Sequence, residues 1–217
     1  MTNELPEKFR EELTKCDIPV TDEQLEKLIA YYRLLLEWNE KINLTRHTEV
    51  EKFVARDVLD SWQLAQLLDE KVAILDVGTG GGVPGIILKI LRKDLKVAIC
   101  DSVGKKATAV SEIVAAMGIQ VDVLHGRAED VLDRIRFDVL VVRAVARMKK
   151  ILTWLRDKWQ FFDRLLLVKG PAWVDERGES RHYGLLTKHQ LRKLAEYTAP
   201  GLETQSVILE IKRKPKK

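Results

Sequence analysis

The sequence predicts an α/β protein in which a doubly wound, mainly parallel sheet follows an N-terminal helical segment. From residue 71 onward, short apolar runs rich in β-branched residues alternate with helical stretches, a pattern typical of a parallel sheet that is covered on both faces. Before residue 71, apolar residues recur at steps of three and four, which indicates helices. We therefore divide the chain into a helical segment packed on the core (1–70), a sheet domain (71–211) and a basic tail (212–217).

Two capping-box spacings mark helix starts in the helical segment. Thr21 and Gln24 are placed to satisfy free N–H groups at the start of a helix, and Thr48 and Glu51 repeat that spacing before a helix that runs to about Leu68. Behind Thr21, six apolar residues share one predicted buried face: Leu25, Leu28, Ile29, Tyr32, Leu35 and Leu36.

The sheet domain divides into predicted strands and helices by its apolar rhythm. The predicted strands are 72–77, 96–100, 120–124, 137–142, 164–168 and 206–211. The predicted helices are 84–91, 105–117, 149–159 and 187–196, and a polar loop is expected over 174–184.

Composition excludes several classes of protein. The chain has 217 residues, of which 46% are hydrophobic, so it is neither disordered nor collagen-like. It contains no apolar run near the roughly 20 residues that cross a bilayer. Cys16 and Cys100 form neither a disulfide framework nor a metal-ligand spacing. We expect a soluble, cytoplasmic protein with no membrane association and no metal.

Charge is distributed unevenly along the chain. Residues 1–70 carry 9 Lys or Arg against 16 Asp or Glu, whereas the six residues of the tail include five basic ones. A basic body and tail suit a polyanionic partner such as nucleic acid. A solubilising tail that binds nothing explains the charge equally well.

A glycine-dense turn after the first predicted strand is the strongest local signal. It contains Gly78 and Gly80 and precedes a helix that starts near Pro84, so a nucleotide cofactor is able to approach the backbone there. About twenty residues later the second strand ends in Asp101, an acid suited to accept hydrogen bonds from a ribose diol. The alternative for Asp101 is a helix cap or a solvent-facing carboxylate.

The turn favours S-adenosylmethionine over a nicotinamide dinucleotide. A dinucleotide fingerprint requires glycine at its sixth position, and this chain has Val83 there, followed by Pro84. Asp76, just ahead of the glycines, suits an amine-bearing ligand better than a pyrophosphate. An equally good role for Asp76 is to brace the loop by accepting backbone N–H bonds.

The motifs together resemble the glucose-inhibited division protein B family, bacterial methyltransferases of guanine N7 in small-subunit (16S) ribosomal RNA. The resemblance covers most of the chain, and the motifs in this order are more specific than any one alone. They are Leu36-Glu37-Trp38-Asn39, Ile42-Asn43-Leu44-Thr45, Leu59-Asp60-Ser61, the glycine turn, Cys100-Asp101-Ser102-Val103-Gly104-Lys105-Lys106, Gly126-Arg127-Ala128-Glu129, Val142-Arg143-Ala144-Val145-Ala146 and Val168-Lys169-Gly170.

The resemblance implies a Rossmann-like S-adenosylmethionine-dependent methyltransferase. It places the family's cofactor contacts at Gly78, Val83, Ala128, Glu129 and Arg143. Without the resemblance, the residues alone predict that Arg143 forms a salt bridge on the surface.

The implied partner is small-subunit ribosomal RNA or the assembling subunit. Guanine N7 has a lone pair and no proton, so positioning rather than a general base is expected to drive transfer, and no catalytic residue is assigned. The alternatives are a methyltransferase of the same fold acting on another RNA or a small molecule, and a non-enzymatic RNA-binding protein with a relic cofactor site.

Two segments depart from the family's pattern. Asp57 stands where the family usually has histidine, so a role of that histidine in holding RNA or bracing the pocket is in doubt. The predicted loop 171–183 has no counterpart in the pattern. Its Trp173, Arg177 and His182 suit the clamping of an unpaired base, or packing for purely structural reasons.

Overall fold

A seven-stranded sheet forms the centre of the part of the chain that the computed structural model describes, residues 4–215. Its strands are β1 (Ala73–Val77), β2 (Lys96–Asp101), β3 (Val121–His125), β4 (Val139–Arg143), β5 (Arg164–Lys169), β6 (His189–Thr198) and β7 (Gln205–Arg213). The spatial order is β3-β2-β1-β4-β5-β7-β6, with β1 to β5 parallel and β7 and β6 joined antiparallel at one end. The predicted doubly wound, mainly parallel sheet is confirmed.

Helices cover both faces of the sheet. They are α1 (Glu4–Lys15), α2 (Asp22–Asn39), α3 (Val50–Lys52), α4 (Leu59–Ala65), α5 (Gly85–Leu91), α6 (Gly104–Met117), α7 (Ala128–Leu132), α8 (Met148–Trp154) and α9 (Trp173–His182). A π-helical segment, Phe53–Val58, joins α3 to α4, and a 3-10 turn spans Trp159–Phe161. Within residues 4–215, no helix combines the length and the hydropathy that spanning a membrane requires.

Two apolar clusters hold the layers together. Ile74 and Leu75 are neighbours in β1, but their side chains belong to different clusters because successive strand residues point to opposite faces. The cluster around Ile74 also contains side chains from the N-terminal helical segment, such as Phe9 and Phe53, so this acidic segment packs directly on the sheet. This two-sided burial explains why the strands are almost continuously apolar.

One predicted helix cap is present and the other is not. The Thr21 hydroxyl accepts a hydrogen bond from Gln24 N at 3.2 Å, and Gln24 Oε1 accepts one from Thr21 N at 2.9 Å. At the second predicted start, Glu49 is the residue before the helix and makes no side-chain cap. Thr48 instead accepts a hydrogen bond at its carbonyl from the Tyr32 hydroxyl, so the Thr48 cap was a wrong prediction.

The C-terminal third differs most from the prediction. The expected loop over 174–184 is mostly the helix α9, and the expected helix over 187–196 is mostly the strand β6. A register shift between Lys193 and Ala195 interrupts the two-residue alternation of β6, which hides the strand pattern in the sequence. Nine of the ten residues of β6 pair with β7, and this pairing outweighs the helical spacing of the leucines in the segment.

The basic tail begins later than predicted. Lys212 and Arg213 belong to β7, where they pair with Gln190 and His189 of β6. Lys214 donates a backbone hydrogen bond to the Lys188 carbonyl at 3.0 Å. The last two predicted tail residues, 216 and 217, lie outside the described residues.

Candidate functional site

The turn between β1 and α5 requires glycine for backbone reasons. Gly78 and Gly80 have φ values of +69° and +60°, in the left-handed region that other residues rarely adopt. Gly78 N donates to the Cys100 carbonyl at 2.8 Å, which holds the turn against the end of β2. A Cβ on Gly78 would lie 2.7 Å from Val145 Cγ2, so there is no room for a side chain. A valine there would strain the fold as well as block a ligand.

Asp76 braces this turn from inside. Its Oδ2 accepts hydrogen bonds from the Thr79 hydroxyl at 2.6 Å and from Gly85 N at 2.9 Å. Burial raises the pKa of Asp76 to about 6. Its other oxygen, Oδ1, is buried without a hydrogen-bond partner among the described residues. The bracing role is thus present, whereas contact of Asp76 with a ligand stays a prediction.

Asp101 joins the turn to the start of α6. Its Oδ2 accepts a hydrogen bond from Gly80 N and its Oδ1 accepts one from Val103 N, both at 2.9 Å. Asp101 is largely buried, which rules out the solvent-facing alternative, and it bonds Val103 N ahead of α6 rather than capping a residue inside that helix. Binding of ribose by Asp101 stays a prediction.

A cavity of about 270 Å³ opens at the carboxyl ends of β1 and β2. Gly78, Ala128 and Glu129 line it, so three of the predicted cofactor contacts meet at one place although they are fifty residues apart in the chain. Its other lining residues were not predicted from the sequence; they are Val77, Cys100, Ser102, Gly126, Arg127, Val145, Lys150 and Trp154. Parallel strands bring their carboxyl ends to one edge, which is where open α/β sheets bind ligands.

Val83 and Arg143 lie away from this lining. The Val83 side chain is buried in the apolar cluster beside the N-terminal helices. Arg143 ends β4 but points toward the helical segment, where its Nη2 lies 2.7 Å from Asp57 Oδ1 and its Nη1 lies 3.2 Å from Asp60 Oδ2. The salt bridge read from the residues alone therefore exists, but it is buried rather than on the surface.

Asp57, the departure from the family's histidine, is the centre of this buried network. It is fully buried, and His47 Nδ1 lies 2.9 Å from the same Oδ1 that pairs with Arg143. Asp60 also accepts a hydrogen bond from the Tyr197 hydroxyl at 2.7 Å. Burial lowers the pKa of Arg143, but the charges of Asp57 and Asp60 outweigh it and raise that pKa above its usual value. Arg143 is thus a permanent cation that joins the helical segment to the sheet.

The segment 171–183 is held to α8 by its acidic residues. Glu176 accepts a hydrogen bond from Met148 N at 2.7 Å and lies 2.8 Å from Lys169 Nζ. The Lys149 ammonium lies 3.5 Å from the centre of the Tyr183 ring. Packing for structural reasons, one of the two alternatives for this segment, is therefore present. Among residues 4–215, no three His, Cys, Asp or Glu side chains are grouped so as to hold a metal ion.

Known proteins match this chain over most of its length. The family described as rRNA small subunit methyltransferase G matches residues 24–208. A protein of Rhodopirellula baltica named Ribosomal RNA small subunit methyltransferase G is 45% identical over 206 residues, which cover 87% of this chain and 89% of that one. One of the same name from Lactobacillus helveticus is 35% identical over 217 residues, covering 96% and 90%.

Solved structures of other proteins have the same fold. TrmK of M. capricolum, in complex with S-adenosyl-homocysteine, aligns with a TM-score of 0.56 and 17% identity over 71% of this chain and 68% of that one. The precorrin-6y C5,15-methyltransferase of Geobacter metallireducens aligns with a TM-score of 0.54 and 10% identity, covering 81% and 96%. At these identities the likeness shows the fold alone.

The match over residues 24–208 and the two relatives confirm the resemblance seen in the sequence, and with it the prediction of a methyltransferase that uses S-adenosylmethionine. The chain belongs to the rRNA small subunit methyltransferase G family.

Proposed function

We propose that this protein transfers the methyl group of S-adenosylmethionine to N7 of a guanine in small-subunit ribosomal RNA. The observation that carries the proposal is the cavity at the carboxyl edge of the sheet, where Gly78, Ala128 and Glu129 come together. The resemblance to the family implies a cofactor contact at each of them. A ribosomal substrate also implies that the protein works in the cytoplasm.

The residues of the cavity fit the proposed cofactor. Val77, Val145 and Trp154 supply apolar and aromatic surface for an adenine ring, whereas the Glu129 carboxylate and the Ser102 hydroxyl are suited to its polar edges and ribose. The cofactor supplies an electrophilic methyl group on a sulfonium. Asp76 is not among the lining residues, so its role in this proposal is to hold the glycine turn in place.

Guanine N7 needs no proton removed before it attacks. The protein's contribution is then to hold N7 in line with the methyl group and to exclude water. A covalent route through cysteine is disfavoured, because burial raises the pKa of Cys100 to about 12 and leaves almost no thiolate at neutral pH. We therefore assign binding roles to the cavity residues and no general base.

Basic side chains at the cavity suit an RNA substrate. Arg127 and Lys150 line the cavity itself. Lys105 and Lys106 lie in the first turn of α6, which begins beside the same edge of the sheet. Phosphates attracted there would position the RNA without reading its sequence.

The test is to map N7-methylguanine in small-subunit ribosomal RNA from cells with and without this protein. One position should lose its methyl group when the protein is absent, and purified protein with S-adenosylmethionine should restore it. Methylation of only another RNA or a small molecule would refute the RNA assignment. Binding of ribosomal RNA without any methyl transfer would point to a relic cofactor site.

A further inference from the structure

A second cavity, of about 570 Å³, adjoins the cofactor cavity. Val145, Lys150 and Trp154 line both, so their occupants would be neighbours across a shared wall. The remaining lining residues are Ala146, Arg147, Lys149, Thr153 and Glu179. The methyl acceptor has to lie beside the cofactor, and this second cavity is in that position.

The lining of this acceptor cavity combines an aromatic ring with charges of both signs. Trp154 is half-buried, and Lys150 Nζ lies 5.3 Å from the centre of its ring. Arg147 and Lys149 add further cations, whereas Glu179 is the one acid among the described residues that line the cavity. An aromatic face with nearby cations is suited to stack on a nucleobase.

The Glu179 carboxylate is held in place with acceptor capacity left over. Lys149 Nζ donates to Glu179 Oε1 at 3.3 Å. Arg147 Nη2 lies 3.1 Å from Oε2, but Oε2 is buried and accepts no hydrogen bond of good geometry from the described residues. Desolvation opposes ionisation, yet Lys149 and Arg147 lower the pKa of Glu179 below its usual value, so the group is charged at neutral pH. Oε2 is thus in an ion pair with Arg147 and still has lone-pair capacity for a further donor.

We propose that Glu179 accepts hydrogen bonds from N1–H and the 2-amino group of the acceptor guanine while Trp154 stacks on the base. This inference rests on the proposed function and adds how the base is chosen. Guanine has these two donors on its Watson–Crick edge, and adenine has no proton at N1. Because N7 lies on a different edge of the purine, binding at Glu179 leaves N7 unblocked and free to face the cofactor.

The test compares wild type with Glu179→Gln, which keeps the shape of the side chain and removes its charge. Two small-subunit RNAs are needed, with guanosine or inosine at the position that wild type methylates. Inosine lacks only the 2-amino group. Glu26→Gln is the matched control, since it removes one negative charge from an exposed position on α2.

In wild type, inosine should lower kcat/KM by about 10-fold or more, the effect of losing one hydrogen bond to a charged group. Glu179→Gln should lower kcat/KM on the guanosine RNA about 10- to 100-fold. The inosine penalty, which is the ratio of kcat/KM on the guanosine RNA to that on the inosine RNA, should fall to less than about 3-fold in this variant. Glu26→Gln should match wild type on both RNAs. A loss of folding in Glu179→Gln is detected by its affinity for S-adenosylhomocysteine, which should be unchanged.

An inosine penalty below about 3-fold in wild type overturns the inference without any variant. So does an equal inosine penalty in wild type and Glu179→Gln, because a merely structural Glu179 would slow both RNAs alike. If wild type transfers no methyl group to the guanosine RNA, the proposed function fails first, and the inference fails with it.

Discussion

Asp57 offers a direct test of the buried network, because removing it leaves Arg143 with a charge that only one carboxylate balances. Asp57→Ala deletes the contact at 2.7 Å to Arg143 Nη2 and the contact at 2.9 Å to His47. Asp60, at 3.2 Å, is then the remaining acidic partner of Arg143 among the described residues. Water does not easily replace the lost carboxylate, since the Arg143 side chain is only 16% exposed.

Losing a buried hydrogen bond to a charged group costs about 1.5–3 kcal/mol, and the cost stays in this range because Asp60 still balances the Arg143 charge. For a domain of this size, 1 kcal/mol corresponds to roughly 2–4 °C in Tm, so Asp57→Ala should lower Tm by roughly 3–12 °C. Asp57→Asn retains an acceptor oxygen and should fall between wild type and Asp57→Ala. Adding Arg143→Met to Asp57→Ala should destabilise the protein further, because Asp60 is then a buried carboxylate without its cation. The double variant should still lose less than the sum of the two single losses, because Asp57 and Arg143 interact directly.

The measurement is urea unfolding of each variant, with calorimetry for Tm. Asp157→Ala, at an exposed position, is the control and should change the free energy of unfolding by no more than about 0.5 kcal/mol. A decrease of less than about 1 kcal/mol in the free energy of unfolding of Asp57→Ala would refute the reasoning. It would also be refuted if the losses of the single variants Asp57→Ala and Arg143→Met add exactly in the double variant. Either result would mean that the network adds no stability through charge pairing.

Three further predictions concern the cofactor turn, the cavity and the chain end. The pKa of Asp76 is raised to about 6 from 3.8, so the folded state binds more protons than the unfolded state between these values, and stability falls as pH rises through that window. Between pH 4 and 6.5, the free energy of unfolding of wild type should fall by up to about 3 kcal/mol relative to that of Asp76→Asn, measured by urea unfolding. A difference between the two proteins that does not change with pH would contradict the raised pKa. Glu129→Gln should weaken the binding of S-adenosylhomocysteine by about 10-fold in calorimetry, because its carboxylate is expected to accept a hydrogen bond from the cofactor. An unchanged affinity would mean that Glu129 does not contact the cofactor. Removing residues 216–217 should reduce the slope of log RNA affinity against log salt by about 0.7–0.9 per lost phosphate contact. Cofactor affinity should stay unchanged. Equal slopes for the two proteins would mean that the end of the chain only aids solubility.

Local patterns in the sequence determined most of the sheet domain. The apolar runs place β1 to β5 within two residues of their bounds, because a strand buried on both faces has to be apolar at successive positions. Glycines at positive φ and the Thr21 cap are likewise local, since they depend on the backbone of a few adjacent residues. Motif order along the chain was enough to identify the family.

Tertiary structure alone decided which distant residues meet. Asp57 and Arg143 are 86 positions apart, and neither the ion pair nor its burial leaves a periodic signal. Trp154 and Glu179 line one cavity because α9 docks on α8, in a segment that the sequence predicted as a loop. The strand β6 was decided by its pairing with β7, whose ladder of hydrogen bonds outweighs the weak helical preference of its own residues. Contacts of this kind depend on packing between elements, which local propensity does not encode.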